Sequence, residues 1–138
     1  MARPRARDEL LQRFSDRYSA AGSDAAREVE REVIGANVGA NGFTTLAQAD
    51  TLTGVLGLSR TSRLLDVGSG RGWPGLYLAA VTGCRAVLSD LPVAAVRNAS
   101  RRVQRRRLSR RVAVVRASAT HLPFAAATFD AICHADTL

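Results

Sequence analysis

A chain of 138 residues with 46% hydrophobic and 23% charged residues has the length of one domain and a globular rather than a disordered composition. No run approaches the roughly 18 to 20 uninterrupted apolar residues of a membrane span. The start, Met1 to Glu9, lacks the apolar stretch of a signal peptide, so a cytoplasmic protein of bacterial type is expected. All 20 basic residues are arginine, for a formal charge of +8, and the eight arginines of residues 97–111 carry that excess with no acid among them.

Residues 5–20 place Leu10, Leu11, Phe14 and Tyr18 on one helical face. Ser23 and Asp24 form the N-cap and first turn of a second helix, whose buried stripe is Val29 and Val33 and whose stop is Gly35. Residues 36–43 are rich in turn formers and predict a loop. Thr44 or Thr45 caps a third helix that ends near Gly57. The period then changes. Arg63 to Val67 is a short apolar run ending in a glycine-rich turn, and a helix follows from about Pro74 to Val81. Ala86 to Asp90 predicts a second strand. Pro92 to Leu108 predicts a helix with Val93, Val96, Val103 and Leu108 inward and the arginines outward. Val112 to Arg116 and Phe129 to His134 predict a third and a fourth strand. Strands alternating with helices indicate an α/β fold with a parallel sheet and right-handed crossovers. Cys84, Cys133 and the two histidines have no metal-ligand spacing, so no metal is expected, and the cysteines read as reduced thiols.

The most informative stretch is Leu64-Leu-Asp-Val-Gly-Ser-Gly-Arg-Gly72. Glycines between a strand and a helix let the backbone curl tightly and let a ligand approach without a Cβ in the way. A dinucleotide fingerprint would need its third glycine at position 73, which is Trp73, and a phosphate-binding P-loop would need a lysine, of which the chain has none. A nucleoside ligand whose charged end is not a pyrophosphate remains. Asp66 precedes the turn at the carboxyl end of the first strand. Asp90 ends the second strand, where a carboxylate can accept hydrogen bonds from both hydroxyls of a ribose. The competing reading of Asp90 is a cap for the helix that begins at Pro92.

Leu64 to Gly72, with Leu88-Ser-Asp-Leu91 and with His121-Leu-Pro-Phe124 followed by Phe129-Asp-Ala-Ile132, resembles the motifs of the class I S-adenosylmethionine-dependent methyltransferases of the small-molecule type. The resemblance implies a Rossmann-like, doubly wound parallel sheet in half-sheet order 3-2-1-4. Residues 1–43 would form an amino-terminal helical lid and residues 44–138 the cofactor-binding core. It implies S-adenosylmethionine as cofactor, with Asp66 and the loop Gly68, Ser69, Gly70 and Gly72 at its methionine part, Asp90 at the ribose and Leu91 against the adenine. The acid that commonly meets the adenine amino group is replaced here, in Ala117-Ser118-Ala119, by Ser118 beside Ala119. The family's sheet has seven strands. The chain ends just beyond the fourth, so either a fragment or truncated product, whose unpaired strand edge favours self-association, or a partner that completes the sheet, is expected.

Methyl transfer needs alignment and desolvation more than an acid or base. If the acceptor is a hydroxyl, His134, at the end of strand four, is the candidate base. His121 is read as lining or exposed. Tyr18, Phe43 and Thr44 are the candidate substrate contacts, on a segment that precedes the sheet and covers the site. The expected activity is methyl transfer to a small-molecule acceptor. The alternatives are a cofactor-binding module without turnover alone, or an RNA methyltransferase using the arginine-rich helix. Nucleic acid is the less favoured partner, because no aromatic residue interleaves with residues 97–111. No membrane partner is expected.

Overall fold

Of the chain, the computed structural model describes residues 4–19, 22–40 and 42–135. Ala20 at the end of the first predicted helix, Asn41 of the predicted loop and residues 136–138 lie outside the described residues. Three helices come first: α1 (Pro4–Ser19), α2 (Asp24–Ile34) and α3 (Leu46–Val55). Then follow β1 (Arg63–Val67), α4 (Gly75–Thr82), β2 (Arg85–Asp90), α5 (Val93–Arg105), β3 (Val112–Arg116) and β4 (Ala131–Cys133). The strands are all parallel, in the order β3-β2-β1-β4. This is the Rossmann-like half-sheet expected from the motifs.

Local chemistry sets the boundaries. Ser23 Oγ accepts the Ala26 N–H at 3.1 Å, and Gly35, at φ 95°, returns its N–H to the Arg31 carbonyl. For the third helix Thr45, not Thr44, is the cap, with Gln48 completing a reciprocal capping box. In α2 the inward face is not the predicted one. Val29 and Val33 are 58% and 52% exposed, while Ile34 is buried against Ala49 and Trp73. Glu30 fixes that rotation: its Oε1 accepts the N–H groups of Val38 and Ala40, both at 2.9 Å. Glu30 and Ile34 are one turn apart, so they share the inward face and the valines turn out.

The core lies between the sheet and α4 and α5, built from Leu64, Leu78, Leu88, Val103, Val112 and their neighbours. In α5, Ala95, Ala99 and Val103 are buried, whereas Val93 is exposed. Alanine at the contact lets the helix axis approach the strands, which a valine stripe would prevent. Helix α5 stops at Arg105, so Leu108 packs from the following turn. Arg102 is not on the outer face. Its guanidinium donates to the Val38 carbonyl and ties α5 to the loop after α2. Burial holds its pKa below the ordinary value, an effect partly offset by Glu30.

The fourth strand is shorter than expected because Asp130 turns back, its Oδ2 accepting the Arg63 N–H at 2.7 Å. Ile132, in the middle of β4, is 58% exposed on the sheet face away from α4 and α5. No helix among the described residues is long and apolar enough to cross a membrane.

Candidate functional site

At the carboxyl ends of β1 and β2 the glycine turn and Asp90 meet. Gly68 and Ser69 both donate backbone N–H groups to the Ser89 carbonyl, at 2.8 and 3.0 Å. This pair of bonds folds the turn back over the neighbouring strand. Gly70, at φ 55°, then donates its N–H to Asp90 Oδ2 at 2.7 Å, and Asp90 Oδ1 accepts the Leu91 N–H at 2.7 Å. Each carboxylate oxygen has spent one acceptor site and keeps another. The capping alternative for Asp90 is not what forms. Pro92 is the N-cap of α5, and no side chain caps it. Burial raises the Asp90 pKa, opposed by the two N–H donors.

A cavity of about 590 Å³ opens at this corner. Gly68, Ser69, Gly70, Arg71, Asp90 and Leu91 form one wall. Leu10, Phe14, Tyr18 and Phe43 form the other. Leu10 and Phe14, on the helical face that their spacing predicts, are exposed and face this cavity. The apolar stripe of α1 is thus mainly a cavity wall, and Tyr18 is its buried end. A Cβ on Gly70 would lie 3.0 Å from the Tyr18 hydroxyl, so the glycine is needed for the close approach as well as for its φ.

Asp66 is placed differently from Asp90. It is wholly buried under the turn and is not among the cavity-lining residues. Its Oδ2 accepts the Gly75 N–H at 2.8 Å, pinning the start of α4. Its Oδ1 has no hydrogen-bond partner among the described residues. Burial pushes its pKa up to about 7, against the lowering effect of Gly75 and Cys133 and with a further push from the charge of Asp90. Gly75 must be glycine here, since a Cβ would lie 2.5 Å from Asp66 Oδ2 and 2.6 Å from Leu88.

The remaining predicted residues scatter around this corner. Gly72 is buried at the base of the turn, its N–H donated to Ser69. Thr44 accepts the Trp73 indole N–H at 2.9 Å through its backbone carbonyl. Ser118 and Ala119 follow β3 beside the site, where the Ala117 N–H meets the Asp90 carbonyl at 3.0 Å, but neither lines the cavity. Ser118 Oγ instead pairs with Thr120 Oγ1 at 2.9 Å. His121 is exposed, with Nδ1 2.9 Å from Thr120 Oγ1. His134 is exposed just beyond β4, and the cavity wall there is its neighbour Ala135.

Sequence reasoning passed over Arg71 and Asn98. The Arg71 guanidinium reaches the carbonyls of Arg17 and Tyr18 at 3.3 and 3.4 Å, and Asn98 Nδ2 donates to the Tyr18 carbonyl at 2.9 Å. Together they fasten the end of α1 over the turn. A long cation inside a glycine turn was the available signal for Arg71. Asn98 had none.

The parallel half-sheet, the glycine turn and the carboxylate at the end of β2 define a Rossmann-like protein that binds a nucleoside-containing cofactor at the strand ends. The sequence profile of the methyltransferase domain matches residues 64–138. The chain belongs to that family, and its fold is that of the class I S-adenosylmethionine-dependent methyltransferases. Among solved structures it is similar to the MccD protein (22% identity, TM-score 0.61, 64% of this chain and 39% of that one). It is also similar to the [4+2]-cyclase SpnF (30% identity, TM-score 0.59, 62% and 32%). A third is an S-adenosylmethionine-dependent methyltransferase from Thiobacillus denitrificans in complex with S-adenosyl-L-homocysteine (28% identity, TM-score 0.50, 54% and 30%). The match thus spans less than half the length of each of these chains. None of the curated proteins compared with the chain matches it.

Proposed function

We propose that the chain holds S-adenosylmethionine in the cavity between the glycine turn and α1, and serves methyl transfer to a small-molecule acceptor. The observation that carries this is Asp90. Both of its oxygens are oriented by backbone N–H groups, both keep acceptor capacity, and both belong to a cavity wall of nucleoside size. The residues fit the cofactor further: Ser69 Oγ, on a residue of the cavity wall, is buried with no hydrogen-bond partner among the described residues. The likeness to a structure holding S-adenosyl-L-homocysteine supports the same reading.

When bound, the cofactor supplies a sulfonium-activated methyl group. Asp90 takes the ribose hydroxyls, Leu91 packs on the adenine, and Ser118 with Ala119 lies at its far side. The turn from Gly68 to Gly72 meets the methionine part, and Asp66 acts beneath it as a positioning residue through Gly75. Residues 1–43 form the cover, in which Phe14, Tyr18 and Phe43 exclude water from the acceptor side. Thr44 holds the cover to Trp73, and His134 is the proposed base for a hydroxyl acceptor.

The test is calorimetric titration of the chain with S-adenosylmethionine, S-adenosyl-L-homocysteine and NAD. Binding of the first two and not of NAD is expected; the reverse preference would overturn the assignment. A second reading is a cofactor-binding unit without methyl turnover alone. It is favoured by the partial span of the match and by the likeness to a protein named as a cyclase. Release of S-adenosyl-L-homocysteine in the presence of a phenol and amine acceptor panel separates the two readings.

A further inference from the structure

The opposite edge of the sheet carries a second constellation, assembled from segments far apart in sequence. Arg63 and Arg85 are register partners at the starts of β1 and β2, and Arg111 follows in the same row, its carbonyl accepting the Ala86 N–H at 2.9 Å. Adjacent strands lie roughly 4.8 Å apart, so this row is dense in charge. Helix α5 runs back to this same edge and delivers Arg105, Arg106 and Arg107, with Arg110 in the turn that follows. All of these except Arg111 are exposed. Arg111 is held by a bond to the Gly83 carbonyl at 2.6 Å. Among the described residues none of them has a carboxylate within ion-pair distance. Asp130 is nearby, and its carboxylate accepts the backbone N–H of Arg63. The carbonyl end of α5 attracts cations, but it offsets only a fraction of so many like charges.

A cavity of about 310 Å³ opens among these groups, lined by Arg63, Arg85, Arg110 and Arg111 together with Phe124 and Phe129. The two rings are edge-to-face, with centroids 5.1 Å apart at 89°. Residues 97–111 contain no aromatic, yet the fold brings two from the segment before β4 into the arginine cluster. Guanidinium groups match phosphate geometry, and aromatic faces stack unpaired bases. An acidic protein surface would use the arginines and leave the rings without a role.

We propose that this amino-terminal edge of the sheet, with Arg63, Arg85, Arg110, Phe124 and Phe129 at its centre, is a docking site for single-stranded nucleic acid. It is separate from the cofactor cavity. The five residues of β1 lie between them, roughly 16 Å of strand, so a base docked here is held by the protein and is not itself the methyl acceptor.

The test is fluorescence anisotropy of the full chain with a labelled oligouridylate, titrated across salt. Binding should weaken steeply with salt. The triple variant Arg63→Gln, Arg85→Gln, Arg110→Gln should lose tenfold or more in affinity and flatten the log–log salt slope by about 2. The double variant Phe124→Leu, Phe129→Leu should lose roughly tenfold for oligouridylate and nothing for polyglutamate. Circular dichroism and urea unfolding establish that each variant is folded; if the phenylalanine variant is not, the surface arginine variant still decides. Unchanged binding by the arginine variant, or equal binding of polyglutamate or phosphatidylglycerol vesicles by the wild type, would overturn the proposal. So would absence of oligouridylate binding at low salt.

Discussion

Replacing Asp66 by Asn should change how stability depends on pH. The carboxyl is wholly buried, with one oxygen bonded to the Gly75 N–H and the other without a hydrogen-bond partner among the described residues. In the folded chain it keeps its proton up to about 7, against an ordinary value of 3.8. Between those values the unfolded chain binds fewer protons than the folded one, so stability falls as pH rises. The wild type therefore carries no penalty from this group in acid, and about 4 kcal/mol once the pH is well above 7. Asparagine keeps an acceptor for Gly75 and never ionises. The stability of Asp66→Asn relative to wild type should thus rise by about 2–3 kcal/mol between pH 5 and pH 8. Urea unfolding of both proteins at the two pH values measures it, and titrating groups not coupled to Asp66 cancel in the difference. A relative stability that stays flat, or moves the other way, would refute the claim that burial dominates the Asp66 environment.

Asp90→Ala should weaken S-adenosyl-L-homocysteine binding by about 1.5–3 kcal/mol in a calorimetric titration, the range for hydrogen bonds to a charged group; undiminished affinity would remove Asp90 from the ribose. Gly70→Ala should cost about 1–2 kcal/mol in urea unfolding, because position 70 sits at φ 55° with the Tyr18 hydroxyl 3.0 Å from the added methyl. Arg102→Gln should destabilise the chain by about 1–2 kcal/mol through loss of its bond to the Val38 carbonyl, while Arg101→Gln stays within about 0.5 kcal/mol. Equal thermal shifts for the two arginine variants would contradict the inward placement of Arg102.

The fold and half of the site were legible because they rest on short-range signals. Strand Arg63–Val67 and strand Val112–Arg116 have the boundaries their residues predicted, since apolar runs bounded by turn residues leave few alternatives. The glycine turn and Asp90 were readable for the same reason: a strand, a turn without Cβ atoms and an acid at the next strand end form a local pattern with one purpose. What a helix faces is not local. Spacing put Val29 and Val33 inward, but Glu30, bonded to a loop eight and ten residues on, set the rotation of α2. Spacing likewise put Leu10 and Phe14 on one face of α1, and only the docking of α1 through Arg71 and Asn98 made that face a cavity wall. Asp66 and Asp90 both sit near strand ends as acids in a chain that has few. The alternation of side chains along β1 and the seating of α4 bury the first and leave the second at the cavity. The amino-terminal edge is the extreme case, because residues 63, 85, 110, 124 and 129 share no sequence neighbourhood and become one surface only through parallel register. Sequence determines the elements, whose energetics are local; tertiary packing decides which face of each element meets solvent, core or ligand.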